Sequence, residues 1–500
     1  MRDFSEAEYA DIQGLVRFAH GHLPDSAFLM LRLIDVAVAK RWLADAPVTS
    51  ARSQEHKPET ALQVAFTAAG LKALGLGDAM LNQFSEVFCG GMAGDPNRSR
   101  RLGDVGNNAP KHWDWGGNSE QTPDLLLMLY AQTGELENRI SSLQDSTFQQ
   151  AFELQKTLLS TNNSPREPFG FADGISQPEL DWQQSISTDE HERDRFANRT
   201  ALGEFLLGYS NEYGQYTERP LLDSVIEGPH EQLPDAGDQP QFKDLGRNGT
   251  YLVFRQLSQD VSGFWQYLDE QAAGNTRERD RLAAAMVGRQ RNGEPLMPRT
   301  SEPIDGIDRD NDYNHFNYDS DPHGHLCPVG AHVRRSNPRT GDYPVGVNGF
   351  ITRLLRTLGF CRRYPGDDLV ASTRFHRLLR RGRAYGTPLS IEQALQEKPT
   401  GSDLRGLHFI CLGANISRQF EFVQNAWNMS SKFSGLPTEA DPLLGNREPL
   451  LNGQTTDHFS LPREGAPAQC LTGIPQFISV RGGAYFFMPG IRALRYLASL

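Results

Sequence analysis

Residues 61–76, "ALQVAFTAAGLKALGL", change structural period partway along. Ala61 to Phe66 is a short apolar run that reads as a strand, and Ala68 to Leu74 continues with helical character. Working outward from this pair, Ile12 to Phe18 and Ala27 to Leu33 read as strands, and Ala37 to Leu43 as a short Ala-rich helix. Leu125 to Tyr130 ("LLLMLY") reads as a buried strand. A sheet crossed by helices is an α+β pattern. A polar, Gly/Pro-rich region from about Asn211 to Thr250 reads as a long surface excursion. The pattern then resumes: "YLVFR" (Tyr251 to Arg255) is a strand, and Val261, Phe264, Trp265 and Leu268 follow at helical spacing, which marks Trp265 as core. Leu407 to Leu412 is a strand, Ile416 to Val423 a helix and Tyr485 to Met488 a late strand. The chain thus contains two consecutive α+β units.

Five hundred residues with 38% hydrophobic content bury a large core, and at roughly 100–200 residues per domain two units suit the length. The formal charge of -12, with no sustained Lys/Arg run, argues against a nucleic-acid surface and against an anionic membrane. A small or cationic substrate fits better. The N-terminal "MRDFSEAEYADIQ" lacks the apolar core of a secretory signal, and no stretch of about 18 apolar residues occurs. A cytoplasmic protein is expected, with export by another route left open. Cys89, Cys327, Cys361, Cys411 and Cys470 are odd in number and form no C-x-x-C pair. They are expected to be reduced and mostly buried.

Three stretches concentrate unusual residue choices: "FGFADGISQP" (169–178), "HGHLCPVGAHVRRSNPR" (323–339) and "FHRLLRRGRAYG" (375–386). Taken singly, each has a plain explanation. Asp173 between glycines is a turn residue, His332 is a structural histidine, and the run Arg377, Arg380, Arg381, Arg383 is a solvated helix face. Together they have a chemical reading. A neutral imidazole holds a haem iron from one side, and the opposite side needs a proton acceptor and a fixed positive charge to split a peroxide O–O bond. His332, Asp173 and Arg380 fill those roles, and arginine suits the last because it stays protonated at any working pH.

These residues also carry a resemblance. "GFADG" is similar to the G-x-x-D-G signature of dye-decolorizing peroxidases. "AFTAAGLKALGL" (65–76), "GEFLLGY" (203–209), "CPVGAHVRRSNPR" (327–339), "LLRRGRAYG" (378–386) and "GANISRQFEFVQ" (413–424) resemble that family in the same order. The length is closer to its larger bacterial and fungal members. The resemblance implies an α+β fold of two ferredoxin-like domains with antiparallel sheets and peripheral helices. The first would span residues 1–205 and the second 206–500, with a haem b (iron protoporphyrin IX) held mainly by the second. It implies His332 as proximal iron ligand, Asp173 as distal acid/base and Arg380 as its cationic partner. Leu407 and Phe409 become the apolar distal wall, Arg339 a partner for a haem propionate, and Asp441 the acceptor of the proximal imidazole N–H.

The implied activity is reduction of hydrogen peroxide to water through an oxoferryl intermediate, followed by one-electron oxidation of phenols and bulky dyes. An aspartate has an unperturbed pKa of about 3.9 and stays ionised in acid, so an acidic optimum is expected. Tyr385 is either a relay that carries a radical to large dyes or a buried packing residue. Two other classes compete: a haem-binding or deferrochelating carrier, and a zinc hydrolase using His323, His325 and Cys327 of "HGHLC". Asp173 and Arg380 together favour peroxide chemistry. Monomer and dimer are equally compatible with the sequence.

Overall fold

The computed structural model describes residues 4–161, 164, 166–184, 198–223, 229–298, 313–339, 373–397, 405–450 and 452–500; Cys361 lies outside them. The first unit runs β1 (Asp25–Leu33), α1 (Val36–Asp45), β2 (Thr60–Phe66), α2 (Ala68–Leu74), β3 (Leu125–Ala131), α3 (Leu136–Leu143), α4 (Ser146–Ala151) and β4 (Phe152–Ser160). Its strands pair antiparallel in the order β4-β1-β3-β2. The junction within residues 61–76 is set by Thr67, whose Oγ1 accepts the Gly70 N–H at 3.0 Å and so caps α2.

The second unit runs β5 (Thr250–Gln259), α5 (Val261–Gln271), α6 (Thr276–Val287), α7 (His332–Ser336), β6 (Leu379–Arg380), β7 (Arg383–Gly386), α8 (Ile391–Gln396), β8 (Arg405–Gly413), β9 (Ile478–Met488) and α9 (Ile491–Ser499). Both β6 and β7 pair with β8, and the order from that edge is β8-β5-β9, again antiparallel. Counting β6 and β7 as one strand, both units order their strands fourth, first, third, second. This is the ferredoxin-like arrangement twice.

The two sheets join through one residue pair, Phe66 with Phe487. Their inner faces pack on each other: Phe28, Met30, Met128 and Tyr130 share a core with Leu252, Phe254, Ile410 and Phe486. The rings of Phe28 and Phe254 lie 5.1 Å apart. At the far edge the Ser160 hydroxyl donates to the Ala384 carbonyl. Strands buried on both faces read as unbroken apolar runs rather than alternating ones, and β3 is buried along its whole length.

Some expectations are corrected here. Residues 12–18 are no strand but a 3-10 turn at Gly14–Val16. The backbone pairs briefly with residues 49–51, Gly14 N–H to the Thr49 carbonyl and Ala51 N–H to the Ile12 carbonyl, and the Gln13 amide adds side-chain bonds: Nε2 donates to the Val64 and Pro489 carbonyls, and Oε1 accepts the Val64 N–H. The helix read at 416–423 is a pair of π-helical turns, Ser417–Glu421 and Val423–Asn428. Of the described cysteines, Cys327 and Cys411 are buried, whereas Cys89 and Cys470 are exposed. Among the described residues no helix is long and apolar enough to cross a membrane.

Candidate active site

The outer face of the second sheet carries a cavity. Side chains alternate along a strand, so Arg255, Leu257 and Gln259 of β5, Leu407 and Phe409 of β8, and Ile478 and Val480 of β9 all line it. Val480, Leu257 and Leu407 lie in register across the three strands. Phe420, Val423, Val333, Leu443 and Leu444 extend the apolar wall. The cavity brings Asp173, Arg380, His332, Leu407 and Phe409 together.

Asp173 sits in a loop whose sharp course uses glycine on both sides. Gly170 has φ +95° and Gly174 φ +81°, values that L side chains rarely adopt. Asp173 Oδ1 accepts from Arg380 Nη1 at 2.9 Å. The carboxylate keeps 38% of its side-chain surface open, and that surface faces the cavity. Burial pushes its pKa up, but the charge of Arg380, the Gly174 backbone N–H and the Arg380 hydrogen bond outweigh this and hold it below the usual carboxylate value. Arg380 lies on β6 opposite Cys411 of β8, and its backbone N–H donates to Gln177 Oε1 at 3.0 Å. Loop and strand are therefore locked to each other as well as ion-paired.

His332 begins α7, and its Nδ1 lies 2.9 Å from Oδ2 of the fully buried Asp441. The other Asp441 oxygen accepts the Leu443 and Leu444 N–H groups. That arrangement makes Nδ1 the protonated nitrogen and leaves Nε2 as the lone-pair donor. Burial would lower the His332 pKa, yet the Asp441 charge and hydrogen bond raise it. Asp441 is itself held low by the imidazole against the opposing effect of burial. Arg335, with no exposed surface, anchors α7 by donating to the Gly330, Trp427, Ser430 and Glu439 carbonyls.

Arg339 has its guanidinium on protein groups. It is not among the cavity-lining residues: its guanidinium donates to the Asn314 and Phe316 carbonyls and lies 3.7 Å from the Phe316 ring centre. Arg289 and Arg377 line the cavity instead. Sequence reading missed both, since neither lies at a spacing that separates it from a surface arginine. Arg289 Nη2 reaches Ser176 Oγ at 2.8 Å, and Arg377 bonds Asn337. The arginine run is also no solvated helix face. Arg381 donates to the Leu15 and Val16 carbonyls and Arg383 to those of Ala19 and His20, tying the N-terminal segment to the second sheet.

Tyr385 is 8% exposed; its hydroxyl donates to the Leu257 carbonyl and its ring stacks on His408 at 4.5 Å. The packing alternative describes it. The zinc reading finds no centre, because no group of three His, Cys, Asp or Glu side chains converges among the described residues. Asp321, the acidic group nearest that stretch, caps the His325, Leu326 and Cys327 N–H groups and pairs with Arg334.

An apolar cleft with an imidazole on one side and an ion-paired carboxylate and guanidinium also on its wall fits a haem. His332 Nε2 is the donor an iron needs, Leu407, Phe409, Leu257 and Val423 offer apolar contact to a porphyrin, and Arg289 and Arg377 offer cations to its carboxylates. The fold and the site define a class: two paired ferredoxin-like sheets, with a cavity on the outer face of the second whose residues fit a haem.

No protein-family model matches the chain. Its curated relatives are dye-decolorizing peroxidases, fungal and bacterial. The protein AauDyP1 of Auricularia auricula-judae is 27% identical, aligned over 97% of this chain and 86% of its own length. Msp1 of Mycetinis scorodonius is 27% identical over 89% and 77%, and the multifunctional dye peroxidase DyP2 of an Amycolatopsis strain 26% over 89% and 84%. A solved dye-decolorizing peroxidase in complex with 2,6-dimethoxyphenol superposes with a TM-score of 0.71 at 22% identity, covering 98% of this chain and 99% of that one. The chain is a relative of these peroxidases and has their fold.

Proposed function

We propose that this chain is a haem peroxidase that reduces hydrogen peroxide and oxidises phenols and dyes one electron at a time. The carrying observation is the Asp173–Arg380 ion pair on the wall of the same cavity as His332, with Asp441 behind the imidazole. The chain contains no C-x-x-C-H attachment motif, which supports haem b held without covalent bonds.

When bound, the haem supplies the iron at which peroxide is cleaved and the redox equivalents for substrate oxidation. The protein's part follows from its own groups. His332 Nε2 would hold the iron, and Asp441 fixes the tautomer and increases the basicity of that nitrogen. Asp173, ionised because Arg380 keeps its pKa low, would serve as the proton acceptor and donor for peroxide bound in the cavity. Arg380 stabilises the negative charge that develops on the leaving oxygen. Leu407 and Phe409 keep bulk water from this transfer. Because the acceptor is a carboxylate with a lowered pKa, the reaction persists into acid. A carrier of haem needs His332 but has no use for the paired Asp173 and Arg380.

The test is rapid mixing of haem-loaded protein with hydrogen peroxide, following the Soret band in wild type, Asp173→Asn and Arg380→Leu. Fast change in wild type and loss in the variants supports the peroxidase. Equal, slow change in all three leaves only the carrier.

A further inference from the structure

Glu167 is a carboxylate that the chemistry above does not use. It lies six residues before Asp173 and lines the same cavity. Its oxygens accept three N–H donors: Phe169 at 3.0 Å, Phe171 at 2.9 Å and Gln259 Nε2 at 2.9 Å. The first two belong to the loop that ends at Asp173, and the third reaches in from β5. One side chain thus gathers the loop backbone and ties it to the sheet under the cavity. Backbone bonds also shape this loop, Gly170 N–H to the Glu167 carbonyl, Glu167 N–H to the Phe171 carbonyl and Ala172 N–H to the Arg291 carbonyl, and Arg380 holds its far end at Asp173 and Gln177. Arg166 donates to the Gly170 and Arg291 carbonyls, Phe169 packs on Phe264 at 4.6 Å, and Phe171 lies parallel to Trp265.

The charged groups beside the Glu167 loop include the guanidinium groups of Arg166, which donates to the Gly170 carbonyl, and of Arg291, which lies over the Trp265 ring next to Gly170. β5 presents the neutral Gln259, α5 presents Phe264 and Trp265, and the loop itself presents Asp173. Burial pushes the Glu167 pKa up to about 7, the three hydrogen bonds hold it down, and the negative charge of Asp173 adds to the rise. A carboxylate receiving three donors is best matched when ionised, since protonation turns one acceptor into a competing donor.

We propose that Glu167 is the positioning residue of the peroxide site, holding loop 167–173 against β5 and so aiming Asp173 at Arg380 and the cavity. The proposal rests on the peroxidase reading above. It acts through geometry, and small displacements of a reacting group are costly.

The experiment uses the full chain with Glu167→Ala, Glu167→Gln and Gln259→Leu. Two readouts are taken: amide hydrogen exchange at Phe169 and Phe171 in the haem-free and haem-loaded chain, and the peroxide rate against pH in the haem-loaded chain. Glu167→Ala is expected to speed exchange at both amides and to slow the peroxide reaction by about tenfold or more, with the Soret band retained. Glu167→Gln is expected to recover part of that rate and to remove an inflection near neutrality, leaving the acid limb of Asp173 in place. Should Glu167→Ala not fold, the other two variants decide by the same readouts, each losing protection at Phe169. Wild-type exchange and wild-type pH profiles in the folded variants overturn the proposal. A wild-type chain that takes up no haem or does not react with peroxide sinks the peroxidase reading instead, and is recognised without any variant.

Discussion

The two ferredoxin-like units share a strand order yet use their outer faces differently. In the first, Ala27, Leu29, Leu31, Leu127 and Leu129 turn outward onto a layer that includes Val38 and Leu43 of α1, and the face is sealed. In the second, the corresponding central strands present Arg255, Leu257, Gln259, Leu407 and Phe409 to a cavity. A sheet must bury an apolar face against something; here one face is closed by the chain's own helix and the other is shaped for a ligand. The comparison teaches that topology alone assigns no chemistry. The difference lies in what is packed over the sheet and in a few polar residues at the rim of that face.

The largest effect belongs to the cavity on the second unit's face. Asp173→Asn and Arg380→Leu each lower the peroxide rate by about 10²–10⁴-fold, measured by rapid mixing, with the Soret band retained. In wild type the sign of the pH dependence follows from the lowered pKa of Asp173: the rate is preserved as pH falls through the ordinary carboxylate value of about 3.9 and is lost only below it. A midpoint above that value would show that Arg380 does not control Asp173.

The next prediction sets one face against the other. Leu29→Ala, in a side chain with no exposed surface, costs about 2–5 kcal/mol of stability in the haem-free chain by denaturant titration. Leu407→Ala, at a partly buried side chain on the cavity wall, costs clearly less in the haem-free chain, and the gap narrows once haem is bound. Equal costs without haem would mean that the two faces are equally sealed.

A smaller effect is expected behind the imidazole. Asp441→Asn weakens haem retention or activity by about 10–100-fold, read by transfer of haem to an acceptor protein and by the peroxide rate. The smallest belongs to Tyr385→Phe, which removes one hydrogen bond to Leu257 and costs about 0.5–1.5 kcal/mol. Oxidation of phenols and of bulky dyes stays at wild-type rates in that variant. Selective loss of dye oxidation would return Tyr385 to the relay role.

The units themselves were legible because buried strands leave apolar runs such as Leu125–Tyr130, and an amphipathic helix leaves the spacing of Val261, Phe264, Trp265 and Leu268. Residues 12–18 misled for a physical reason. Their apolar side chains are buried like those of a strand, but after a single bridge from Gln13 to Ser50 the backbone bends into the 3-10 turn at Gly14–Val16, which periodicity does not register. The surroundings of Arg339 were not legible either: the carbonyls of 314 and 316, brought in by the fold, accept from its guanidinium.

For this protein the sequence by itself determined the local choices: strand or helix, the glycine-flanked turn at Asp173, and the candidates Asp173, His332 and Arg380 through motif order. Only the tertiary structure decided the pairings between distant residues. Asp173 meets Arg380 across 207 positions and His332 meets Asp441 across 109, and Arg289 and Arg377 rather than Arg339 line the cavity. The reason is that local conformation follows from side-chain sterics and polarity within a few residues. The partner of a charge is set by which strands and loops the packed sheets bring within hydrogen-bonding distance.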